Sequence, residues 1–357
     1  MSGKPATRSP HTVAADLARL TEIVEQFHRQ TIALLGDFVA DEFQFGDISR
    51  ISREAPVLIL RHRETQGLPG GGANAANNLA DLGARVRPVS IVGNDSAGRA
   101  LLEYFRRKKV DTSGVITLRG WTTPTKTRFL AGWPHTAPQQ VLRVDRQASE
   151  GVPRRTQILL KRNLQSAMRG GAPLLVSDYG FGAATPELVR ESASRLRKKP
   201  VVTLDSRFAL HDFRGIGVTA ATPNEAELEA LHHVSLGTDQ DAFERYARET
   251  LEHLRLRALV VTRGKEGMAV FEPGKPSVHI PVFGEQQALD VIGAGDTVIA
   301  ALTLALASGS SFVEAAHIAN IAGGIVVMKR GTATVTGREL LAAIRREATG
   351  GEAGVAR

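Results

Sequence analysis

One stretch near the C-terminal end brings glycines and a carboxylate together at a helix start. It reads Leu-Asp-Val-Ile-Gly-Ala-Gly-Asp-Thr over residues 289–297, and the apolar run after it, residues 298–307, predicts a buried helix. Asp296 falls in the first turn, where it can take a proton from a hydroxyl that attacks a phosphoryl group. An anion would bind at the electropositive helix N-terminus, to the backbone N–H groups of Gly293, Ala294 and Gly295. An Asp that only stabilises the helix dipole is the alternative.

A second glycine-rich stretch, Pro-Gly-Gly-Gly-Ala-Asn over residues 69–74, opens another predicted helix. Glycine lets the backbone approach a ligand closely, and an Asn side chain both donates to and accepts from sugar hydroxyls. Gly70, Gly71 and Asn74 are therefore candidate substrate ligands. The alternative is a tight loop that packs a helix onto a sheet.

Two motifs in the second half of the chain are suited to a nucleotide and its metal. In Thr-Pro-Asn-Glu-Ala-Glu, residues 222–227, Asn224 and Glu227 are three apart at a helix start and can hold hydrated Mg²⁺. A helix cap formed by the same two residues is the alternative. In residues 262–267, the hydroxyl of Thr262, the glycines and the cations suit a phosphate chain. A plain hairpin turn explains that motif as well.

Cations and carboxylates elsewhere complete the set of candidates. Lys126 and Arg128, in a strand-rich segment, can meet an anionic substrate or the transferring phosphoryl group. Exposed charges that discourage edge pairing are the alternative for these two residues. Asp37 and Asp178 each follow a predicted buried strand, at the end where open α/β sheets bind ligands.

The alternation of predicted elements gives the fold class. From residue 153 onward, predicted helices at 153–168, 185–198, 223–232 and 238–254 separate predicted strands at 173–177, 200–204, 218–221 and 258–262. This is the doubly wound α/β pattern, with a mainly parallel sheet flanked by helices. Short strand-like pieces at about 40–66 and 118–145 interrupt it, and we expect them to pair into a small β lid. The expected domains are an N-terminal extension with one helix (1–30), a core domain with the lid (31–346) and a flexible tail (347–357).

Composition excludes several classes of protein. The 357 residues contain no Cys, which excludes disulfides, thiol catalysis and zinc fingers, and no P-loop or Gly-x-Ser-x-Gly motif is present. No signal peptide and no run long enough to span a bilayer are visible, so we expect a cytoplasmic protein without membrane contact. The net charge of +8 favours anionic partners, and phosphorylated metabolites explain it without nucleic acid.

Four motifs follow one another in the order seen in the ribokinase-like (pfkB) carbohydrate kinases. They are the Gly-Gly loop, Asn-x-x-Glu, Thr-Arg-Gly-x-x-Gly and Asp-x-x-Gly-Ala-Gly-Asp, and the resemblance covers about residues 31–346. Each motif is weak alone, but the chain resembles this superfamily because all four occur in order. Within it, the chain is similar to the D-glycero-D-manno-heptose 7-phosphate kinases of ADP-heptose biosynthesis, a source of lipopolysaccharide core precursors. The similar segments are residues 49–57, 69–74, 177–179, 289–298 and 331–335.

The resemblance implies a ribokinase-like fold and ATP- and Mg²⁺-dependent phosphorylation of the anomeric hydroxyl of a heptose 7-phosphate. Asp296 would be the catalytic base, with residues 293–295 as the anion hole. The implied substrate ligands are Asp37, Gly70, Gly71, Asn74, Lys126, Arg128 and Asp178. The implied nucleotide ligands are Asn224, Thr262, Gly264, Gly267, Asn320 and Gly324. The implied metal ligands are Glu227 and Asn224 for Mg²⁺ and Asp290 for a monovalent cation such as K⁺.

The chain also departs from the pattern of these kinases. It has Asp205-Ser206-Arg207 where they have Asp-Pro-Lys, and Phe181 where they have Lys, which leaves open whether Arg207 replaces the usual lysine. The resemblance implies a homodimer and, because the sequence ends at Arg357, a nucleotidyltransferase on a separate chain. Two alternatives remain: a kinase of this fold for another sugar, sugar phosphate or nucleoside, and a non-catalytic nucleotide or sugar sensor.

Overall fold

The computed structural model describes residues 16–133, 138–148, 150–193, 199–284 and 288–348. The helices are, in chain order, α1 (Leu17–Glu25), α2 (Gly72–Asp81), α3 (Ser96–Arg107), α4 (Arg154–Ala167), α5 (Pro186–Ala193), α6 (Glu225–His232), α7 (Gln240–Leu254), α8 (Ala294–Ala307), α9 (Phe312–Val326) and α10 (Gly337–Ala348). The strands are β1 (Thr31–Gly36), β2 (Phe38–Ile51), β3 (Leu58–Gly71), β4 (Arg85–Gly93), β5 (Val115–Leu118), β6 (Thr125–Gly132), β7 (Gln139–Arg146), β8 (Leu174–Asp178), β9 (Val202–Ser206), β10 (Ala220–Ala221), β11 (Ala258–Thr262), β12 (Met268–Phe271) and β13 (Val278–Ile280).

A nine-stranded sheet forms the centre of the molecule, in the order β13-β12-β11-β10-β9-β8-β1-β4-β5. The strands from β11 to β5 run parallel, and β12 and β13 add an antiparallel edge. The segments Ile32–Leu35 and Leu174–Val176 are wholly buried, as expected for parallel strands covered on both faces. The predicted mainly parallel α/β sheet is confirmed.

Helices cover both faces of this sheet, and each face has its own apolar core. One core contains buried side chains of α1, α2, α3, α8, α9 and α10, and the other contains those of α4, α5, α6 and α7. The segment Val298–Leu306 of α8 is buried along its whole length, because α8 packs on the sheet beneath α2 and α9. This burial fixes the position of the N-terminus of α8 relative to the sheet.

The parallel strands end at a common edge, where polar residues collect. Asp37 follows β1, Asp178 ends β8, Asp205 lies near the end of β9, and Thr222 follows β10. Carboxyl ends of parallel strands face the ligand crevice of open α/β sheets. The edge is therefore the place where the predicted site residues can meet.

A separate four-stranded sheet, in the order β3-β2-β6-β7, stands beside this edge. The hairpin β2–β3 is antiparallel, β2 and β6 pair in parallel, and β6 and β7 are antiparallel. The prediction that the two β-rich segments pair with each other is confirmed. The prediction of short pieces was wrong, because β2 and β3 are each 14 residues long. The charged middle of β3 is exposed, which hides its strand pattern in the sequence. Leu118, at the start of the second predicted β-rich segment, is the last residue of β5, which belongs to the central sheet.

Most helix boundaries agree with the prediction to within two residues. In α2, Gly70 and Gly71 end β3, so the helix starts at the third glycine of the loop, Gly72. At the N-terminal end, Asp16 caps α1. At the other end, most of the tail that was predicted to be flexible from residue 347 lies outside the described residues. Within the described ranges, no helix combines the length and apolar character that crossing a bilayer requires.

Candidate active site

The N-terminus of α8 has the geometry that its glycines predict. Gly293 is the N-cap with φ of 76°, a left-handed conformation that favours glycine. Within the described residues, no side chain caps this helix end. The first N–H groups of an α-helix have no partner within the helix and can face a ligand. Here the Ala294 N–H donates to the Val291 carbonyl oxygen at 3.3 Å, so an anion bound at residues 293–295 would compete with that one contact.

Asp296 lies in this first turn and is 2% exposed. Its carboxylate accepts hydrogen bonds from Asn74 Nδ2 at 2.9 Å and from the Tyr179 hydroxyl at 3.0 Å. Burial raises the pKa of Asp296 to about 7, although both hydrogen bonds lower it. A carboxyl with this pKa can exchange a proton near neutral pH, which is the property required of a general base.

The close approach of Asn74 is a second reason why position 293 requires glycine. A Cβ added at Gly293 would lie 2.6 Å from Asn74 Nδ2. We expect Gly293→Ala to lower the free energy of unfolding by about 1–3 kcal/mol more than Gly309→Ala. Gly309 is a matched control, because it also has positive φ (87°) but has no atom within 4 Å of the added Cβ. Urea unfolding of both variants measures the difference, and equal losses would mean that the Asn74 contact does not matter.

Asn74 reaches Asp296 because β3 turns directly into α2. Gly71, the N-cap of α2, has φ of 53°, and a Cβ there would lie 2.9 Å from Val39 Cγ2. A Cβ at Gly70 would lie 2.5 Å from Asp41 Oδ2. The structure thus gives both glycines steric roles, and their predicted contacts with a substrate stay predictions. Asn74 itself is fully buried and bonded to the candidate base.

Asp37 binds the protein's own backbone. Its carboxylate accepts from the N–H groups of Tyr179, Phe181 and Ala183 at 2.8–3.0 Å and is 1% exposed. Burial raises its pKa to about 6, which these hydrogen bonds oppose. Asp37 therefore holds the loop that presents Tyr179 to Asp296, and its predicted contact with the sugar stays a prediction.

Asp178 also has protein partners. It accepts from Ser206 Oγ at 2.7 Å and from the backbone N–H of Gly180 at 2.9 Å, and burial raises its pKa. Together with Asp37, it fixes the loop after β8. The role of Asp178 as a substrate ligand stays a prediction.

Asp41 is a site residue that the sequence analysis missed. Its carboxylate pairs with Arg128 Nη1 at 2.6 Å and accepts from the Thr332 hydroxyl at 3.0 Å, and all three side chains are buried. Arg128, predicted to meet an anionic substrate, is thus paired inside the protein. The sequence offered one signal, since Asp41 follows Asp37 by four residues in a segment with strand character, where a buried carboxylate needs a partner.

Lys126 lies at a cationic cavity of about 310 Å³ next to Tyr179. Its Nζ is 5.1 Å from the centre of the Tyr179 ring, whose hydroxyl bonds Asp296. Burial lowers the pKa of Lys126, and the nearby Arg207 and Arg143 lower it further against the opposing effect of Asp41. The cavity is lined by Lys126, Arg143, Asp145, Gln147, Tyr179, Gly180, Phe181, Arg207 and Phe208. We define these residues as the cationic pocket.

The charge of the cationic pocket is not balanced by its own acid. Asp145 is its only carboxylate within the described residues, and both its oxygens lie 2.6–2.7 Å from Arg143. Lys126 and Arg207 remain available to an anion. Two of the positions at which the chain departs from the expected kinase pattern, Phe181 and Arg207, line this pocket.

The predicted nucleotide motifs lie at the ends of β10 and β11. Asn224 caps α6 and forms a reciprocal capping box with Glu227, at 2.8 and 2.9 Å, so the capping interpretation of these letters is observed. Thr262 and Asn224 form an isolated parallel β-bridge. Gly264 begins a short 3₁₀ turn between β11 and β12. Gly267 ends that turn with φ of 82°, and a Cβ there would lie 2.0 Å from the carbonyl oxygen of Ile280. Residues 262–267 therefore form the hairpin turn that was the alternative interpretation, and their contacts with a nucleotide stay a prediction.

Glu227 and Asp205 are close enough for the charge of one to affect the other, and their carboxylate oxygens are the kind of ligand that Mg²⁺ prefers. Burial and the charges of Glu227 and Asp296 raise the pKa of Asp205 well above its ordinary value, and burial raises the pKa of Glu227. Thr222 Oγ1, at the same edge, is buried without a hydrogen-bond partner in the described part of the chain. Within that part, no group of three or more His, Cys, Asp or Glu is arranged around a metal. The protein would thus supply only part of a Mg²⁺ shell.

The remaining predicted ligands lie around the start of α8. Asp290 accepts from the backbone N–H groups of Ile292 and Gly331, both at 2.9 Å, and so joins two loops. Asn320 donates to the carbonyl oxygen of Pro281 at 2.7 Å. A Cβ at Gly324 would lie 2.5 Å from the carbonyl oxygen of Phe283. These contacts shape the site, and the predicted binding of K⁺ and nucleotide by these residues stays a prediction.

Comparison with known proteins identifies the family of the chain. A family model described as "pfkB family carbohydrate kinase" matches residues 39–337. "Bifunctional protein HldE" of Geobacter sulfurreducens is 37% identical over 313 residues, which are 87% of this chain and 62% of that protein. The protein of the same name from Mesorhizobium japonicum is 38% identical over 331 residues, 92% of this chain and 64% of that protein. The chain therefore spans less than two thirds of the length of these relatives.

Solved structures share the fold. Phosphofructokinase-2 from Escherichia coli, in complex with substrates and products, superposes with a TM-score of 0.73 at 20% identity, covering 89% of this chain and 99% of that one. Arabidopsis thaliana ribokinase, complexed with ribose and ATP, gives a TM-score of 0.67 at 18% identity, covering 88% and 98%. At these identities the likeness shows the fold.

Proposed function

The chain belongs to the pfkB family of carbohydrate kinases, and from that premise we propose that it transfers the γ-phosphoryl group of ATP to the anomeric hydroxyl of a heptose 7-phosphate. The observation that carries the proposal is Asp296, a buried carboxylate with a raised pKa at an uncapped helix N-terminus. It lies beside a pocket whose cations exceed its carboxylates. The similarity of residues 49–57 to heptose 7-phosphate kinases and the identity with HldE proteins support this choice of sugar.

The proposed roles follow from position. Asp296 takes the proton from the attacking hydroxyl, and Asn74 and Tyr179 hold its two oxygens. The N–H groups of residues 293–295 stabilise the charge on the phosphoryl oxygens. Asp205 and Glu227 would hold Mg²⁺, whose positive charge would be supplied to the nucleotide phosphates.

The cationic pocket would hold the distal phosphate of the sugar. Tyr179 contacts both Asp296 and Lys126, so a sugar spanning this residue would present one end to the base and the other to the pocket. Lys126 and Arg207 would neutralise the phosphate, for which a guanidinium is well suited. Among the residues that the structure describes, no carboxylate pairs with either side chain, which favours a phosphorylated substrate over a neutral one.

A substrate panel tests this proposal. Release of ADP is measured with heptose 7-phosphate, the unphosphorylated heptose, fructose 6-phosphate, ribose and adenosine. We expect kcat/KM to be highest with heptose 7-phosphate and lower by at least about tenfold with the unphosphorylated heptose, since a charge-assisted contact contributes about 1.5–3 kcal/mol. Preference for an unphosphorylated sugar would contradict the assignment of the cationic pocket to the distal phosphate. Absence of turnover with every sugar would favour the alternative of a non-catalytic nucleotide or sugar sensor.

The raised pKa of Asp296 predicts how turnover depends on pH. The base acts only when ionised, so kcat should fall as pH falls through about 7, and by about tenfold for each further unit of pH below that. The measurement uses saturating heptose 7-phosphate, because the second ionisation of the sugar phosphate near pH 6 affects binding. A kcat that stays constant from pH 8 to pH 5.5 would exclude Asp296 as the titrating base.

A further inference from the structure

A row of polar side chains crosses the otherwise apolar contact between α2 and α8. Asn74, Asn78 and Thr297 are all fully buried, and α2 carries the first two, one helical turn apart. Thr297 follows Asp296 directly on α8. Apolar residues of this size would pack the same contact without any need for hydrogen bonds, so the polar row calls for another explanation.

The hydrogen bonds of this row have one consistent direction. The Thr297 hydroxyl donates to Asn78 Oδ1 at 2.9 Å, while its distance to the carbonyl oxygen of Gly293 is 3.4 Å. Asn78 Nδ2 then donates to Asn74 Oδ1 at 3.2 Å and to the Asn74 carbonyl oxygen at 3.0 Å. Asn74 is left with its Nδ2, which donates to Asp296 Oδ2 at 2.9 Å and to the carbonyl oxygen of Gly293 at 3.3 Å.

The direction matters because an amide can face a carboxylate in two ways. If the Asn74 amide were reversed, its oxygen would face the carboxylate of Asp296, and two acceptors would repel each other. Its nitrogen would then face Asn78 Nδ2, another donor. Asn78 therefore opposes the reversed orientation. The Asn74 carbonyl oxygen, which can only accept, keeps Asn78 Nδ2 on its side, and the Thr297 hydroxyl holds Asn78 Oδ1 in place by donating to it. Burial keeps water from replacing either contact.

We propose that Asn78 and Thr297 are positioning residues that hold the Asn74 amide with its nitrogen toward Asp296 and thereby keep the base aligned. Neither residue lines the cationic pocket, and both act through Asn74. This inference rests on the proposed function, since it takes Asp296 as the base.

The test compares Thr297→Val with Thr297→Ser. Valine keeps the shape of threonine but removes the hydroxyl, whereas serine keeps the hydroxyl. We expect Thr297→Val to lower kcat by about three- to tenfold, the usual effect of one neutral hydrogen bond, with the KM for ATP unchanged. The acid limb of the kcat profile should move to higher pH, because a weaker Asn74 donor stabilises the ionised form of Asp296 less. Thr297→Ser should resemble the wild type in both respects.

A second readout does not depend on activity. The carboxyl carbon of Asp296 is followed by ¹³C NMR during a pH titration of protein labelled at aspartate, with the signal assigned by its loss in Asp296→Asn. The midpoint should rise in Thr297→Val and in Asn78→Ala, and stay unchanged in Thr297→Ser. Unchanged midpoints and kcat in both variants that break the row would overturn the inference. If the wild type phosphorylates no sugar while these midpoints still move, the proposed function fails and the positioning role stands.

Discussion

Replacing Asp296 by Asn is expected to lower kcat by about two to four orders of magnitude, the usual contribution of a positioned general base. An amide cannot take the proton, and it offers only one acceptor oxygen to the two donors, Asn74 and Tyr179, that the carboxylate now bonds. The N–H groups of residues 293–295 belong to the backbone, so ATP affinity should be kept. Steady-state ADP release gives kcat, and calorimetry gives the ATP affinity.

The control for this variant is Asp239→Asn. Asp239 caps α7 by accepting from the N–H of Ala242, and Asn caps helices about as well as Asp. The control therefore makes the same chemical change away from the site and should leave both kcat and stability near the wild type. Near-wild-type kcat in Asp296→Asn would remove this residue from the role of base.

The largest expected effect on stability comes from Arg128. Arg128→Met should lower the free energy of unfolding by about 3–5 kcal/mol, because it leaves the Asp41 carboxylate buried without its cation. The two side chains are 8% and 6% exposed and 2.6 Å apart. Thr332 would remain as a donor to Asp41, but one hydroxyl does not neutralise a charge. Urea unfolding measures the loss.

Arg146→Met is the matched control in the same lid. Arg146 pairs with Glu42 at 3.0 Å but is 59% exposed, so its loss should cost less than about 1 kcal/mol. The double variant Asp41→Asn with Arg128→Met should recover part of the loss, because it removes the stranded charge as well. Equal destabilisation by Arg128→Met and Arg146→Met would show that burial of the Asp41–Arg128 pair has no energetic consequence.

The features that could be predicted from the sequence are those that depend on residues close together in the chain. The glycines before an apolar run define the start of α8 and place Asp296 in its first turn, since both depend only on neighbouring residues. The parallel sheet follows from the spacing of apolar strands and amphipathic helices in the same way. Residues 134–137 and 194–198, which fall within the predicted lid and a predicted helix, lie outside the described residues.

Partners far apart in the chain could not be predicted. Asn74 and Asp296 are 222 residues apart, and Asp41 and Arg128 are 87 apart. No local pattern shows that Asn74 contacts the candidate base Asp296. Nor does one show that Asp41 neutralises Arg128, which the sequence alone suggested was available to a substrate. The exposed charges of the β2–β3 hairpin likewise hide its length, because a strand outside the core lacks the apolar alternation that marks one.

One sequence motif can be compatible with both a helix cap and a metal site. Asn224 and Glu227 form the capping box that was an alternative to a metal site. Burial raises the pKa of Glu227, and burial together with the charge of Glu227 raises that of Asp205, so a cation bound beside them would favour their ionised forms. Helix capping uses only one oxygen of Glu227, Oε2, so it is compatible with a metal ligand in the same side chain.

The central claim is that Asp296 activates the anomeric hydroxyl of a heptose 7-phosphate. The most direct measurement incubates the purified protein with ATP, Mg²⁺ and heptose 7-phosphate and identifies the product by ³¹P and ¹³C NMR. We predict a 1,7-bisphosphate, with phosphorus coupling at the anomeric carbon and at carbon 7. A phosphate on any other carbon, or no product from this sugar while another sugar is phosphorylated, would contradict the account.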